Sequence, residues 1–337
     1  MKLLPDHVIE LARDRFPGGP PSDFEVRPIE KGGSGRKFFR VRGGDGASLI
    51  VVRYSDQREE NRHYVDIARF LGGVGVNVPT IFHHDPAEGL IFMEDLGETD
   101  LWHFRDEPWE VRAPLYRSAV EQAVRLHARA APALAHAPLH LQLEFDEQLY
   151  LWEQDYFFQN CLGGIFGMPP DEIAALASAR PLKDIARRLA ALPRVIVHRD
   201  FQSQNILIDR GSAWLIDFQG MRPGIPQYDL ASLIYDPYVT LARTERDDLV
   251  GYYKSRADEV GLPVRPDFDE VLDLAAMQRL MQAMGAFGFL GLKAGHPHFL
   301  DHVGPARASL AGVCARVPGL EPIAGLLQTL PARTARP

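Results

Sequence analysis

The segment HRDFQSQNILIDRGSAWLIDFQG, residues 198–220, places ionisable side chains between apolar runs that are typical of β-strands. Its residues follow H-R-D-x-x-x-x-N, with Asp200 and Asn205, and then a close variant of D-F-G that begins at Asp217. Asp and Asn also cluster in ordinary turns. A three-part match in one register is uncommon by chance, so the pattern favours a catalytic segment over a decorated turn.

The chemistry of phosphoryl transfer explains why these residue types occur together. The reaction needs positioning and charge neutralisation more than covalent catalysis. Mg²⁺ prefers oxygen ligands and keeps several waters. Asp217 and Asn205 supply one carboxylate and one amide oxygen, and Asp200 is predicted to be the base near the acceptor hydroxyl. His198 is predicted to support the loop.

We predict that one hairpin holds these groups. It would begin at VIVH (195–198), turn at DRGS (209–212) and return as AWLIDF (213–218), with its loop carrying the functional side chains. This hairpin is the single β-like element that we predict in the second half of the chain.

The rest of the chain divides into a β-rich part and a helical part. A short helix over 6–16 precedes three predicted strands, a helix over 58–75 that is closed by Gly72 and Gly73, and two further strands that turn at 86–89. Predicted helices then occupy 109–131, 146–162, 171–178, 182–191, 228–236, 244–260 and 268–292, with a last helix after Val317. We therefore predict an α+β fold with two lobes, residues 1–97 and 98–337, and a cleft between them.

Composition excludes several classes of protein. The chain has 337 residues, 46% of them apolar, and a net charge of −8, which disfavours a nucleic-acid binder. No run of 18 apolar residues predicts a membrane span, and the first residues lack a signal-peptide pattern. The two cysteines, Cys161 and Cys314, show no metal-site spacing. We therefore expect a cytoplasmic protein with reduced thiols.

The whole chain resembles the aminoglycoside phosphotransferase and choline kinase group of protein-kinase-like enzymes. Within that group it is most similar to a bacterial branch of anomeric sugar kinases for N-acetylmuramate and N-acetylglucosamine. The resemblance is carried by GGSGRKFFRV (32–41), EENRHYVDIARFLGGVGVNVP (59–79), FMEDLG (92–97), HRDFQSQNIL (198–207), IDFQGMRPGIPQYDLASLIYDPY (216–238) and QRLMQAMGAFGFLG (278–291).

The resemblance implies a bilobal protein-kinase-like fold, ATP as the phosphate donor and Mg²⁺ as the cofactor. It implies that Asp200 is the catalytic base and that Asn205 and Asp217 bind the metal. It further implies that Asp229 anchors the catalytic loop.

The nucleotide side departs from the usual kinase pattern. The strand SLIVVRYS carries Arg53 where a phosphate-pairing lysine is expected. Either Arg53 replaces that lysine, with Glu60 as its partner, or phosphate binding falls to Arg36 or Lys37 from the Gly/Ser loop. The candidate nucleotide-binding residues are Gly33, Ser34, Arg36, Lys37, Arg53, Glu60, Met93, Glu94 and Leu96, the last three at the hinge.

The sequence identifies the residues that bind the acceptor less specifically than it identifies the catalytic segment. The candidates are Gln202, Gln219, Arg222, Trp152 and Asp155. Arg222 could meet an anionic acceptor such as a lactyl carboxylate, or it could cap a helix or pair with a surface acid. The aromatics near Trp152 are equally consistent with the core face of an amphipathic helix. Arg279 and Gln282 are predicted to be structural.

These observations favour an ATP-dependent kinase for the anomeric hydroxyl of N-acetylmuramate or N-acetylglucosamine, which would link it to cell-wall sugar recycling and to a sugar-1-phosphate nucleotidyltransferase. One alternative is another acceptor: an aminoglycoside, choline, homoserine or a protein hydroxyl. Acidic residues at 144–147, 153 and 155 support an aminoglycoside. A second alternative is a non-catalytic nucleotide-binding regulator, because the lysine and the third D-F-G residue are replaced.

Overall fold

An antiparallel sheet of five strands forms the first part of the structure. The computed structural model describes residues 4–16, 23–29, 36–44, 46–55 and 59–331. After helix α1 (Asp6–Arg13), the chain contributes β1 (Phe24–Ile29), β2 (Lys37–Gly43), β3 (Ser48–Arg53), helix α2 (Tyr64–Gly73), β4 (Ile81–Asp85) and β5 (Leu90–Glu94). The strand order is β1-β2-β3-β5-β4. The predicted succession of three strands, a helix and two strands is confirmed.

The four middle residues of the central strand β3, 49–52, are all apolar because both faces of the strand are covered. Leu49 and Val51 pack with residues of α1, whereas Ile50 and Val52 point to the opposite face and join the main core with α2. This alternation follows from the two-residue period of a strand. The sheet therefore lies between α1 and the rest of the molecule.

The β4–β5 turn requires glycine. Gly89 has a φ of +64°, and a Cβ atom at this position would lie 2.4 Å from the Tyr54 carbonyl oxygen. The Tyr54 amide also donates to the Gly89 carbonyl at 2.9 Å. The turn thus holds β5 beside the end of β3, and β5 leads directly into the predicted hinge.

Helices make up most of the second part. They are α3 (Trp109–Leu134), α4 (Glu147–Phe157), α5 (Pro170–Ala177), α6 (Arg180–Ala190), α7 (Pro226–Ile234), α8 (Arg243–Glu259), α9 (Phe268–Leu292), α10 (Val303–Cys314) and α11 (Glu321–Thr329). A π-helical segment, Phe158–Ile165, continues α4. All seven helices predicted between 109 and 292 are confirmed, as is the α+β class. Helix α10 is missing from our prediction.

The predicted turn at residues 209–212 and the strand that returns from it are confirmed, but VIVH (195–198) is wrong as the first arm of the hairpin. Strand β6 (Val195–Val197) pairs with β9 (Arg222–Gly224), whereas β7 (Ile206–Asp209) pairs with β8 (Ser212–Leu215). The segment thus contributes to two small sheets. The functional side chains precede β7 and follow β8, so they lie at the open end of the β7–β8 hairpin and not at its tight turn.

In the part of the chain that the structure describes, no helix combines the length and apolarity needed to cross a bilayer. Cys161 and Cys314 are buried free thiols.

Candidate active site

The open end of the β7–β8 hairpin brings the three predicted functional residues together. The Ile216 amide donates to the Asn205 carbonyl at 3.0 Å, which places Asp217 beside Asn205. The Asn205 side-chain amide donates to the Asp200 carbonyl at 3.0 Å. This bond occupies Nδ2 of Asn205 and leaves its Oδ1 as the atom that can bind a cation.

A buried carboxylate from α7 anchors the loop that carries Asp200. Asp229 accepts hydrogen bonds from the backbone amides of His198, at 2.7 Å, and Arg199, at 2.8 Å, and His127 Nε2 lies 3.1 Å away. The His198 ring in turn contacts the Ile216 carbonyl at 3.0 Å. Two expectations are confirmed: Asp229 braces the loop, and His198 supports it.

Asp236 is a second anchor, which sequence reasoning missed. It is buried and accepts bonds from the backbone amides of Ser203, at 2.7 Å, and Tyr238, at 3.0 Å. Burial raises the pKa of Asp236, and the hydrogen bonds from Ser203 and Tyr238 act in the opposite direction. The YDP tripeptide after α7 was the available signal, but a sequence does not show which acids are buried.

Three arginines surround the carboxylate of Asp200. Arg199 Nη1 and Arg279 Nη2 each lie 3.6 Å from one of its oxygens. Burial alone would raise the pKa of Asp200, but the positive charges of Arg199, Arg279, His198 and Arg222 hold it below its usual value. Asp200 is therefore ionised at neutral pH, as a proton acceptor must be.

Arg279 corrects a sequence-based expectation. We predicted a structural residue, yet its guanidinium donates to Gln202 Oε1 at 3.1 Å and to Ser232 Oγ at 3.0 Å while facing Asp200. It also contacts Gln282. Arg279 thus joins α9 to the catalytic loop and sets the charge around the base.

Asp217 is held from two sides. It adopts a left-handed backbone conformation, with a φ of +62°, which a non-glycine residue rarely takes. Its Oδ1 accepts hydrogen bonds from Arg36 Nη2 at 2.8 Å and from Gln219 Nε2 at 2.9 Å. The predicted acceptor residue Gln219 therefore contacts Asp217, a predicted cation ligand.

Aromatic contacts connect Asp217 to the hinge. Phe218 stacks on Tyr64, with ring centroids 4.8 Å apart, and the Tyr64 hydroxyl contacts Met93 Sδ at 3.7 Å. The Arg36 guanidinium lies 5.6 Å from the Tyr64 ring. Burial raises the pKa of Tyr64 to about 12, so this side chain is neutral. Met93 is buried here, at the end of β5.

The hinge side chains are engaged by the protein itself. Arg40 donates to both carboxylate oxygens of Asp95, at 2.7 and 3.0 Å, and to the Gly97 carbonyl. Glu94 accepts a bond from the Thr80 amide at 3.0 Å, and Leu96 is buried. The carboxylates of Asp95 and Glu94 are thus engaged by protein groups, and binding of a ligand at the hinge stays a prediction.

The structure distinguishes the two arginine candidates for phosphate binding. Arg36 is buried against Asp217, with 5% of its side chain exposed. Arg53 is exposed at the end of β3, opposite the exposed Lys37 of β2. Gly33, Ser34 and the side chain of Glu60 lie outside the described residues, so their assignments stay predictions.

The remaining acceptor candidates separate into two groups. Gln202 contacts Arg279 beside Asp200. Trp152 on α4 is 48% exposed and stacks on Tyr156, with centroids 4.9 Å apart, so it is not a core residue. Asp155 is also exposed, and among the described residues no contact joins Trp152 or Asp155 to Asp200.

Glu153 contradicts its predicted place in an acidic surface. It is buried and accepts hydrogen bonds from the Tyr228 hydroxyl, at 2.6 Å, and from Gln278 Nε2, at 3.4 Å. Burial raises the pKa of Glu153 to about 7. The nearby Glu144 and Glu147 lie within ion-pair distance of Arg194 and Arg187. Glu153 therefore does not contribute to the predicted acidic surface, whereas Glu144 and Asp155 remain exposed.

The donor set at the open end fits a hard cation that is shared with a ligand. Within the described residues, no group of three or more His, Cys, Asp or Glu side chains forms a metal cluster. One carboxylate, from Asp217, and one amide oxygen, from Asn205, suit Mg²⁺, which keeps waters and binds phosphate oxygens as well.

The structure has a β-rich part and a helical part, and the predicted base and candidate cation ligands lie where the two parts meet. This arrangement is typical of a kinase-like phosphotransferase. The model of the phosphotransferase enzyme family (APH) matches residues 25–270, and the chain belongs to that family.

Two relatives with assigned activities are similar to this chain over nearly its whole length. The chain is 30% identical to an N-acetylmuramate/N-acetylglucosamine kinase of Pseudomonas aeruginosa, over 93% of this chain and 90% of that protein. It is 24% identical to a kinase of the same name from Pseudomonas putida, over 98% and 95% of the two chains. Among solved structures, a putative aminoglycoside phosphotransferase from Ralstonia eutropha shares the fold, with a TM-score of 0.61, 15% identity and coverage of 97% and 98%.

Proposed function

We propose that this phosphotransferase uses ATP and Mg²⁺ to phosphorylate the anomeric hydroxyl of N-acetylmuramate or N-acetylglucosamine. The observation that carries the proposal is the convergence of Asp200, Asn205 and Asp217 at one end of the β7–β8 hairpin. The names of the curated relatives support the choice of sugar. In this proposal residues 1–97 form the nucleotide lobe and residues 98–337 form the catalytic and acceptor lobe.

Asp200 acts on the acceptor. Its carboxylate accepts the proton of the sugar hydroxyl while that oxygen forms a bond to the γ-phosphorus of ATP. The bond from the γ-phosphorus to the bridging oxygen breaks, and ADP leaves with that electron pair. Ionised Asp200 is ready for this role because the surrounding arginines lower its pKa.

Asn205 and Asp217 would hold the cation through Oδ1 of the amide and the carboxylate. Bound Mg²⁺ would neutralise charge on the phosphate oxygens. The contact between Arg36 and Asp217 supports Arg36 as the cation that pairs with phosphate in place of the missing lysine. The residues assigned to the nucleotide are Gly33, Ser34, Arg36 and Lys37 at the phosphates and Met93, Glu94 and Leu96 at the hinge, with Arg53 and Glu60 as the alternative pair.

The acceptor is assigned to the cleft beside Asp200. Gln202 and Arg222 are the candidates supported by proximity to this carboxylate. Trp152 and Asp155 would extend the site along α4, and Gln219 would act through Asp217. The three arginines around Asp200 argue against a polycationic aminoglycoside.

The proposal also includes a cellular setting. We place the protein in the cytoplasm, where ATP is made available and where buried free thiols stay reduced. The product would be a sugar 1-phosphate, which is the substrate class of nucleotidyltransferases. Such an enzyme is the expected consumer of the product.

A purified-protein assay tests the function. ADP release is measured with ATP and Mg²⁺ and a panel of N-acetylmuramate, N-acetylglucosamine, kanamycin and choline. We expect release with the two amino sugars and a product whose phosphorus NMR signal couples to the anomeric proton. Absence of ADP release with either sugar would contradict the proposal. Binding of Mg·ATP without turnover on any acceptor would support the regulator alternative.

A further inference from the structure

The charge around Asp200 is opposite in sign to that of the whole chain. The protein carries a net charge of −8, yet Arg199, Arg222 and Arg279 all lie close enough to Asp200 to lower the pKa of its carboxyl group. The nearby buried acid, Glu153, has its pKa raised to about 7 and so adds less than a full negative charge at neutral pH. The cleft beside the base is therefore locally cationic, which favours an anionic ligand.

Arg222 differs from Arg279 in how its guanidinium is used. All three guanidinium nitrogens of Arg279 donate hydrogen bonds, to Ser232, Gln202 and Gln282. Arg222, in contrast, is 9% exposed and donates only from Nε, to the Gly220 carbonyl at 3.3 Å.

The two terminal nitrogens of Arg222 have no protein partner. Across the described ranges, neither has a hydrogen-bond acceptor or a carboxylate within ion-pair distance. The guanidinium lies 5.3 Å from the centroid of the Phe145 ring, within the range of a cation–π contact. Burial, together with the charge of Arg199, lowers the pKa of Arg222. Because most of the Arg222 side chain is covered while its terminal nitrogens are open to solvent, these nitrogens are available to an anionic ligand in the cleft.

We infer that Arg222 binds a carboxylate of the acceptor and makes the enzyme prefer an acidic amino sugar to a neutral one. The inference rests on the proposed function. N-acetylmuramate differs from N-acetylglucosamine by a lactyl ether that carries a carboxylate, and a guanidinium can bind such a group through two parallel hydrogen bonds. Arg222 is thus a specificity-determining residue, distinct from Asp200 and from the cation ligands.

The test compares three acceptors in one assay. The kcat/KM values for N-acetylmuramate, its methyl ester and N-acetylglucosamine are measured for the wild type, Arg222→Gln and Arg222→Lys. In the wild type we expect the free acid to exceed the ester by about 10- to 100-fold, the range of a charge-assisted hydrogen bond. In Arg222→Gln the acid and the ester should become equal within about threefold, and Arg222→Lys should restore part of the difference.

A matched variant controls for general damage. Arg246 also packs over an aromatic ring, Tyr235 at 5.1 Å, and donates to a backbone carbonyl, that of Leu241. Arg246→Gln should leave the ratio of acid to ester at the wild-type value.

Two outcomes would overturn the inference. One is an equal kcat/KM for the acid and the ester in the wild type. This measurement does not depend on whether any variant folds. The other is a wild-type ratio in Arg222→Gln. If the wild type phosphorylates neither sugar, both the proposed function and this inference are wrong. If it phosphorylates both sugars without a preference for the acid, only this inference is wrong.

Discussion

Exchange of Arg36 for alanine should weaken the use of ATP far more than exchange of Arg53. Arg36 is buried and donates to Asp217 at 2.8 Å, whereas Arg53 is exposed at the end of β3. Loss of one hydrogen bond between charged groups costs about 1.5–3 kcal/mol, which corresponds to a fall of about 10- to 150-fold in kcat/KM for ATP. Arg53→Ala should cost less than about threefold, since a solvated charge contributes little.

The assay is steady-state ADP release with ATP varied at a saturating concentration of N-acetylmuramate. Arg42→Ala, which removes an exposed arginine from β2, the strand that follows Arg36, is the matched control and should resemble the wild type. Arg36→Lys should lie between the wild type and Arg36→Ala, because it keeps the charge but loses the planar fork. A larger loss in Arg53→Ala than in Arg36→Ala would refute the assignment of Arg36 as the phosphate-pairing residue.

Four further changes test the site. Asp200→Asn should lower kcat by about 10²- to 10⁴-fold in the ADP assay, with an unchanged circular dichroism spectrum. Asp217→Asn should raise the Mg²⁺ concentration for half-maximal rate by about 10- to 100-fold in a Mg²⁺ titration; an unchanged midpoint would remove Asp217 from the cation site. Asp229→Ala leaves two buried amides without an acceptor and should cost about 2 to 6 kcal/mol in urea denaturation. Burial raises the pKa of Glu153 from 4.5 to about 7 in the folded protein. Between pH 4.5 and about 7 the folded protein holds a proton that the unfolded chain has released, so the free energy of unfolding falls as pH rises through about 7. The loss is at most about 3 kcal/mol, and urea midpoints of Glu153→Gln at pH 5 and 8 should differ less than those of the wild type.

The sequence predicts the elements of this fold well because periodicity and turn residues are local signals. The run LIVV in β3 and the glycines that end α2 are examples. Strand pairing is not local: β6 pairs with β9, which lies 25 residues further along, and nothing within VIVH distinguishes that partner from AWLIDF. The omission of α10 has a different cause, because its small residues give a weak amphipathic pattern even within the helix itself.

In the candidate site, too, some residues can be predicted from a local pattern and others cannot. The spacing of Asp200, Asn205 and Asp217 is a motif and can be found by reading the chain. The burial of Glu153 and the proximity of Arg279 to the base depend on how α4 and α9 pack beneath the loop. Hence a sequence that indicates an exposed acidic helix gives, once folded, a buried and nearly neutral glutamate.

The buried glutamate and the unpaired arginine belong to one electrostatic arrangement. Arg199 and Arg279 lower the pKa of Glu153, yet its burial outweighs them and the value remains near 7. Glu153 acts on the same arginines as Asp200, so an ionised Glu153 would offset part of the positive charge of Arg199 and Arg279. Because burial raises the pKa of Glu153, this carboxyl opposes the arginines less at neutral pH than a fully ionised one would, and the proposed anionic acceptor would use the same positive charges that lower the pKa of Asp200. A base that must remain deprotonated and an acceptor that carries a carboxylate therefore impose the same demand on the surrounding charges.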